Sequence, residues 1–407
     1  MNKVKELRIN FRVLRIFLST LKGGKNLLYP KVKESFFKEI CKLPTPSIVY
    51  NLEILEETTR YVANELNFIT NLRLHFSLKA NRNISVNKKI ATLVDGADVA
   101  SIEEFKVAEK SGYKRIFVHS PGFNSQEVSE IYQKDYIFDF NSISQLENCI
   151  TSIRGKSVGI RLKVDKGFNG QESYGESSRF GINLEDEVQM QKLLHLTQLN
   201  KISIENIHIH TGEKNLVDFE KTLLYIEKLV NSNQKLFREL KHVNLGGGLT
   251  NIYLIEKRNK EFVNLLMKHA SFFKNKNIDL ILEPGMLLTL FSGFLTTSVN
   301  SRDKECSSEV IDVVLDASRF NLYQWTNTRP IYSTSLNFEK RNYNLYGNSC
   351  FELDIFAKGA PMNILSLHDK IVFSSAGAYL SSMYRTLHGL SLPNEYIWTS
   401  KEHIQEV

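Results

Sequence analysis

The sequence predicts an α/β protein in which a TIM-like (β/α)8 barrel is followed by a second, mostly β domain of the β-sandwich or β-barrel kind. Between about residues 52 and 290, eight short β-rich runs alternate with helix-like segments. Eight strands separated by helices in one block of this size favour a closed barrel over an open sheet. After residue 290, strand-like runs lie among turns with few helical patterns, which is typical of a mostly β domain.

The predicted strands are short runs rich in β-branched and aromatic residues. In the barrel they are residues 74–78, 92–100, 115–119, 136–140, 158–164, 204–210, 242–245 and 279–282. In the second domain they are residues 294–299, 309–315, 343–346 and 370–374, together with a joining strand at 46–51. The predicted organisation is therefore a basic extension at 1–45, the joining strand at 46–51, the barrel at 52–290 and a β domain at 291–407.

The net charge of +7 is concentrated in the first 42 residues. That segment carries eleven Lys and Arg against three Glu, a charge of +8, whereas the remainder has 41 basic and 42 acidic residues, a charge of −1. The body therefore lacks the basic excess typical of nucleic-acid-binding proteins. Apolar residues recur with helical spacing from Val4 to Leu21, which predicts an amphipathic helix that packs on the body or touches an anionic surface.

Composition places the chain among soluble globular proteins. It is 42% hydrophobic and 24% charged, and no apolar run is long enough to span a bilayer. The four cysteines are widely scattered without metal-ligand spacing. This usage predicts neither a metal site nor a disulfide framework and favours a cytoplasmic location.

The first barrel strand ends on a single lysine, Lys79, followed by Ala80 and Asn81. A lysine in a partly dry pocket can attack a carbonyl as a free amine and form a Schiff base. The alternative is an ordinary solvated lysine at the end of a strand. What favours the chemical role is the rest of the chain, which supplies the other parts of one site.

Polar or glycine-rich residues recur where the other barrel strands end, and in such barrels the carboxyl ends of the strands carry function. They are Asp98 with Ser101, His119, Arg161, His208, His210, Gly246, Gly247, Gly248 and Glu283. Three successive glycines let backbone N–H groups approach a phosphate closely, although glycines also simply make turns. A carboxylate at the end of a buried strand needs a cationic partner, either a pyridinium or a structural arginine. A lone histidine such as His210 can equally be structural.

Together these residues resemble the fold-type III pyridoxal-phosphate decarboxylases, the diaminopimelate/ornithine/arginine decarboxylase family, from about Thr45 to Tyr396. In the barrel the matching segments are Ser-Leu-Lys-Ala-Asn at 77–81, Gly-Ala-Asp-Val-Ala-Ser at 96–101, Ser-Arg-Phe-Gly at 178–181, His-Ile-His-Thr-Gly at 208–212, Asn-Leu-Gly-Gly-Gly at 244–248 and Glu-Pro-Gly at 283–285. Outside it they are Thr-Pro-Ser-Ile-Val-Tyr at 45–50, Gly-Asn-Ser-Cys at 347–350 with Asp354, and Gly-Ala-Tyr at 377–379. Nine motifs in the right order make the resemblance specific.

The resemblance implies a pyridoxal 5′-phosphate enzyme that removes the carboxylate of an amino acid or of an amino-acid-derived biosynthetic intermediate. It assigns catalytic roles to Lys79, Cys350 and His210, and Cys350 would act across the interface of a homodimer with shared active sites. It assigns cofactor binding to Lys79, Asp98, Arg161, His210, Gly246, Gly247, Gly248, Glu283 and Tyr379. It assigns substrate binding to Arg329, Tyr332, Phe351 and Asp354.

Three positions depart from the family pattern. Met286 stands where the family usually has arginine after Glu-Pro-Gly, and Glu213, beside Lys214, stands where serine usually contacts the phosphate. Phe351 follows the motif cysteine, where the family places an acidic residue for a distal ammonium group. These changes predict a substrate larger than free ornithine or diaminopimelate. Alternative functions are a non-catalytic homologue that binds a partner protein and an amino-acid racemase on the same fold.

Overall fold

In the computed structural model, which describes residues 32–164, 178–303, 309–399 and 404–406, eight parallel strands close into a barrel in chain order. After a first strand outside the barrel, β1 (Ser47–Asn51), they are β2 (Leu72–Ser77), β3 (Gly96–Val99), β4 (Ile116–His119), β5 (Phe138–Phe140), β6 (Ser157–Arg161), β7 (Ser203–His208), β8 (His242–Asn244) and β9 (Asp279–Leu282). The barrel closes where β9 pairs with β2, with Leu282 opposite Leu74. The predicted (β/α)8 barrel is confirmed.

The helices that cover the barrel begin at side chains that cap their first N–H groups. The side chains of Asn51, Ser101 and Asn215 each accept a hydrogen bond from a backbone N–H in the first turn of their helix. The helix itself leaves these N–H groups unpaired. The α-helices among the described residues are α1 (Glu34–Ile40), α2 (Leu52–Leu66), α3 (Ile84–Ala91), α4 (Ile102–Ser111), α5 (Ser125–Gln133), α6 (Ile143–Asn148), α7 (Ile150–Ile153), α8 (Glu187–Asn200), α9 (Leu216–Ser232), α10 (Asn259–Lys274), α11 (Met286–Thr289) and α12 (Arg319–Leu322).

Several strands are shorter than the sequence predicts. The predicted strand at 92–100 is reduced to β3 because Thr92 ends α3 and Asp95 turns back, where its carboxylate accepts the Leu74 N–H at 2.8 Å. The first barrel strand likewise ends at Ser77, and a single turn of 3-10 helix, Leu78–Ala80, follows it. The functional side chains therefore lie in the loops that follow the strands rather than in the strands themselves.

The second part of the fold is a nine-stranded sheet in which β1 lies in the middle. Its other strands are β10 (Gly293–Arg302), β11 (Val310–Leu315), β12 (Pro330–Ser333), β13 (Lys340–Tyr346), β14 (Ile355–Asn363), β15 (Lys370–Phe373), β16 (Asn394–Trp398) and β17 (Ile404–Glu406). Strand β1 pairs antiparallel with β10 and parallel with β16. The predicted mostly β second domain is confirmed.

Four of these strands, β12, β14, β16 and β17, are not predicted from the sequence. Strand β14 contains Gly359 and Pro361, which usually interrupt a strand, but it lies at the edge of the sheet, where a missing N–H is tolerated. Strand β16 depends on pairing with β1, from the other end of the chain. Such pairing leaves little trace in local periodicity.

Helix α1 packs on this sheet from outside. The Phe36 ring lies 5.0 Å from the rings of both Phe294 and Trp398, in edge-to-face contacts. The amphipathic pattern predicted from Val4 to Leu21 lies outside the described residues. No described helix combines the length and apolar character required to cross a membrane.

Candidate active site

Lys79 projects from the carboxyl end of β2 into a pocket at the top of the barrel. Its neighbours Leu78 and Ala80 are fully buried, whereas Lys79 is half-buried. The turn is held from the second domain, because Asn81 donates a hydrogen bond to the Gly377 carbonyl at 3.0 Å and Tyr379 donates its N–H to the Ala80 carbonyl at 2.8 Å. Two hydrogen bonds to the second domain thus hold the turn that carries the amine.

The pocket brings together side chains from strand ends that are far apart in sequence. The predicted site residues among its lining are Lys79, His210, Gly247, Gly248, Glu283 and Tyr379. Ser77, Glu213 and Met286 line the same pocket. Two of the three departures from the family pattern therefore face the same space as Lys79.

Glu283 lines this pocket and is 2% exposed. The Asn244 side-chain amide donates a hydrogen bond to its carboxylate. Burial, reinforced by the charge of Asp98, raises the pKa of Glu283 to about 8. A buried carboxylate in this state is stabilised strongly by a cationic N–H donor, such as a protonated pyridine nitrogen.

Two histidines at predicted strand ends, to which the family resemblance assigned no role, lie beneath the pocket. His119 Nδ1 is 2.8 Å from the Asp98 carboxylate, and the His119 ring centroid is 4.2 Å from that of His208. His208 Nε2 in turn lies 3.7 Å from the Glu283 carboxylate. Burial lowers the pKa of His119 to about 3, so its imidazole is neutral. Both residues end barrel strands, which was the signal for them in the sequence.

His210 is oriented by the glycine loop. The Gly247 N–H donates to His210 Nδ1 at 3.2 Å, which places the ring proton on Nε2. Burial, followed by the charge of Lys79, lowers the pKa of His210 well below its ordinary value. A neutral, fixed imidazole of this kind can pack against a flat heteroaromatic ring.

Arg161 supports this histidine from behind rather than lining the pocket. Its guanidinium donates to the His210 carbonyl at 3.4 Å and stacks over the Phe180 ring, with 4.5 Å between the guanidinium carbon and the ring centroid. Asp98 is similarly one layer down, where it accepts a hydrogen bond from the Ser77 hydroxyl at 3.1 Å. We therefore expect both residues to position the groups that line the pocket.

The triple glycine makes a cradle that side chains could not occupy. Gly246 and Gly248 have φ of 70° and 78°, which L-residues other than glycine adopt at a cost. A Cβ on Gly247 would lie 2.5 Å from the Glu283 carbonyl oxygen, and one on Gly248 would lie 1.9 Å from that of Gly212. The chain therefore requires glycine here, as a loop that encloses a phosphate does.

The donor set fits pyridoxal phosphate. One pocket holds an amine for the aldehyde, a buried carboxyl for the ring nitrogen, a fixed imidazole for the ring face, and a glycine loop with Tyr379 for the phosphate. When bound, this cofactor supplies an electron sink for charge released at Cα. These residues would hold the ring and keep its nitrogen protonated.

Eight predicted site residues do not line this pocket in the part of the chain that the structure describes. Three of them, Asp98, Arg161 and Gly246, belong to the barrel, and the other five belong to the β domain. Cys350 is exposed on the loop 347–354 between β13 and β14, here named the Cys350 loop, and Phe351 lies next to it. Asp354 is buried within that loop, where its carboxylate accepts hydrogen bonds from the Ser349 hydroxyl at 2.5 Å and the Phe320 N–H at 2.9 Å.

The two remaining residues lie near the β12 strand. Tyr332 stacks on Phe37 of α1 with 5.2 Å between ring centroids, on the outside of the sheet. Arg329 is half-buried, and its carbonyl accepts the Ser374 N–H at 3.0 Å. The structure thus separates a pocket built around Lys79 from a second set of residues in the β domain.

Comparison with known proteins relates this geometry to a family. Residues 52–289 match the model of the pyridoxal-dependent decarboxylases, pyridoxal binding domain. The chain is 24% identical over 382 residues to a carboxynorspermidine/carboxyspermidine decarboxylase of Campylobacter jejuni, covering 90% of this chain and 96% of that protein. It is 27% identical over 366 residues to a 2-[(L-alanin-3-ylcarbamoyl)methyl]-2-hydroxybutanedioate decarboxylase of Staphylococcus aureus, covering 83% and 89%.

Solved structures share the fold. Diaminopimelate decarboxylase of Methanocaldococcus jannaschii in complex with L-lysine aligns with a TM-score of 0.80 at 20% identity, over 91% of each chain. With the family model matching more than half of the chain around a pocket fit for its cofactor, this protein belongs to the pyridoxal-dependent decarboxylases and is a pyridoxal-phosphate-dependent carboxy-lyase.

Proposed function

We propose that this enzyme decarboxylates an amino-acid unit whose side chain carries an extended arm ending in carboxylate or amide groups, rather than a free diamino acid. The observation that carries the proposal is the chemistry of the Cys350 loop. Phe351 occupies the position next to the cysteine, and its ring centroid lies 4.4 Å from that of Phe320. An aromatic pair offers no partner for a distal ammonium group.

Cations lie beside this aromatic pair. The exposed Arg385 guanidinium stacks over the Phe320 ring at 4.5 Å, and Arg319, the residue before Phe320, is half-buried. On the neighbouring strand β13, burial, followed by the charges of Asp312 and Glu352, raises the pKa of Tyr346. Two arginines and two phenylalanines favour an anionic or amide-bearing arm. The substrate named for the Staphylococcus aureus relative is an alanine unit of this kind.

We further propose that two copies of the chain form a homodimer in which Cys350 of one copy completes the Lys79 pocket of the other, where it moves a proton to or from Cα. Large apolar side chains are exposed close to Cys350 and beside the pocket residue Tyr379. They are Phe351 at 37%, Leu353 at 65% and Trp325 at 61% exposure, and Trp325 lies 4.8 Å from the Tyr379 ring. Exposed apolar groups of this size favour an interface.

The other functions considered for the sequence have less support. A non-catalytic binding protein does not require an amine, a buried carboxyl and a glycine cradle in one pocket. A racemase on the same fold does not account for the match to the decarboxylase family model.

The substrate proposal is tested by CO₂ release from a panel of amino acids with pyridoxal phosphate present. We expect amide-linked alanine conjugates with distal carboxylates to have higher kcat/KM than meso-diaminopimelate or L-ornithine. Phe351→Glu should shift the kcat/KM ratio toward the two diamino acids by about tenfold, the scale of one charged hydrogen bond. Phe351→Leu, which adds no charge, should not shift it. Wild-type preference for a diamino acid would overturn the proposal.

The shared-site proposal is tested by mixing two inactive variants. Lys79→Ala and Cys350→Ala should each have little activity alone. After subunit exchange, half of the dimers should be mixed and each should contain one intact site, giving about a quarter of the wild-type activity. A mixture as inactive as its components, despite demonstrated exchange, would contradict a site shared between subunits.

A further inference from the structure

Lys214 is a buried lysine directly behind the glycine loop. It is 1% exposed, and its Nζ donates to the Gly247 carbonyl at 2.5 Å. Its backbone N–H donates to the Gly248 carbonyl at 2.8 Å. Two bonds from one residue thus tie the segment after β7 to the segment after β8. A buried ammonium is costly unless nearby groups stabilise it, so its retention here requires a compensating charge.

Glu213 supplies such a charge and faces the cofactor pocket. It lines the pocket together with Gly247 and Gly248, and its carboxylate accepts the Asn251 N–H at 3.0 Å. Burial lowers the pKa of Lys214 to about 8, and among the charges that oppose this effect Glu213 is the largest. Glu213 and Lys214 are therefore electrostatically coupled.

This arrangement poses an electrostatic problem for the phosphate. The glycine loop presents its backbone to an anion, but a second anion, the Glu213 carboxylate, lines the same pocket. Two like charges in a partly buried space repel each other strongly. Met286 lines the pocket near the same loop and carries no charge to offset this.

We propose that Lys214 is a positioning residue for the cofactor phosphate, acting in two ways. Its ammonium offsets the Glu213 carboxylate, and its bond to the Gly247 carbonyl holds the glycine loop in the shape that receives the phosphate. This inference rests on the assignment of pyridoxal phosphate as cofactor. In this proposal, the charge of Lys214 balances that of Glu213, so that the phosphate end of the pocket can still bind an anion.

The test is a double-mutant cycle of cofactor affinity with the full-length protein freed of cofactor. Pyridoxal phosphate is titrated into wild type, Lys214→Met, Glu213→Gln and the double variant, followed by the visible absorbance of lysine-bound pyridoxal. We expect Lys214→Met to weaken binding about 10- to 100-fold and Glu213→Gln to tighten it several-fold. The double variant should bind more tightly than Lys214→Met, because the carboxylate that Lys214 offsets is gone. Any loss of affinity that remains relative to Glu213→Gln reports the missing bond to the Gly247 carbonyl.

Pyridoxal, which lacks the phosphate, serves as the matched ligand. Its affinity should change by less than about twofold in every variant, since only the phosphate end is affected. Two results would show that Lys214 is merely structural. One is an equal loss of affinity for pyridoxal and pyridoxal phosphate in Lys214→Met, and the other is no recovery of affinity in the double variant. If Lys214→Met does not fold, unchanged or weakened binding in Glu213→Gln overturns the inference by itself. Failure of wild type to bind pyridoxal phosphate would instead refute the cofactor assignment.

Discussion

Replacing Lys79 with alanine is expected to abolish decarboxylation, lowering kcat by at least about a thousandfold. The reason is chemical, because Lys79 supplies the amine that faces the pocket from the end of β2. In its proposed role, Lys79 attaches the cofactor covalently and can move protons at the reacting carbon, so its loss would remove both functions. The measurement is CO₂ release, together with the visible absorbance of the protein after addition of pyridoxal phosphate.

Lys79→Arg is the matched control for this prediction. It keeps the positive charge, which matters for Asp98: burial raises the pKa of that carboxyl, and the charge of Lys79 opposes the increase. A guanidinium, however, does not attack an aldehyde. We expect Lys79→Arg to fold and to remain inactive. Substantial activity or a retained lysine-type absorbance band in either variant would place the nucleophile elsewhere.

Glu283→Gln is expected to lower kcat by about 100- to 1000-fold while the cofactor still binds. Glutamine keeps the shape and the hydrogen bond from Asn244 but removes the negative charge that, in the proposed role, would hold the ring nitrogen protonated. The electron sink is then weaker at the moment when charge develops at Cα. Glu104→Gln is a suitable control, since Glu104 is also buried but accepts a bond from the Ala100 N–H and does not line the pocket.

The same variant has a defined effect on stability in the cofactor-free protein. The pKa of Glu283 is raised from its ordinary value of 4.5 to about 8 by burial, so the folded state binds a proton that the unfolded state releases between these two values. Its contribution to stability is complete below about pH 4.5 and is lost as the pH rises through about 8. We expect Glu283→Gln to gain stability relative to wild type between pH 5 and pH 8, measured by urea unfolding. A constant difference across this range would indicate an ordinary pKa.

Much of this fold follows from the sequence because barrel strands leave a local signal. Each is a short apolar run, and each is followed by polar or glycine residues that a purely structural strand does not need. The prediction failed at β14 and β16, where a proline at an edge and pairing with a distant strand override local preference. It also overextended β3, because the turn at Asp95 depends on a hydrogen bond to β2.

The candidate site shows the same division. Lys79, Glu283 and the glycine loop were predicted at strand ends and lie together in the pocket. The predicted roles of the Cys350 loop, of Arg329 and of Tyr332 remain predictions, since those residues lie outside the pocket of their own chain. The His119 contact with Asp98 depends on neighbouring strands being brought side by side.

The sequence by itself determined the barrel and the family, and it predicted Lys79 as the cofactor lysine, because strand periodicity and motif order can be read along the chain. Only the tertiary structure decided that Tyr379 of the β domain meets the turn at Ala80 and that the Lys214 amine reaches the Gly247 carbonyl. Contacts of this kind depend on barrel closure and on the docking of β1 between β10 and β16. These contacts bury the titratable side chains of the pocket and so shift their pKa values. No single segment of the sequence encodes this burial.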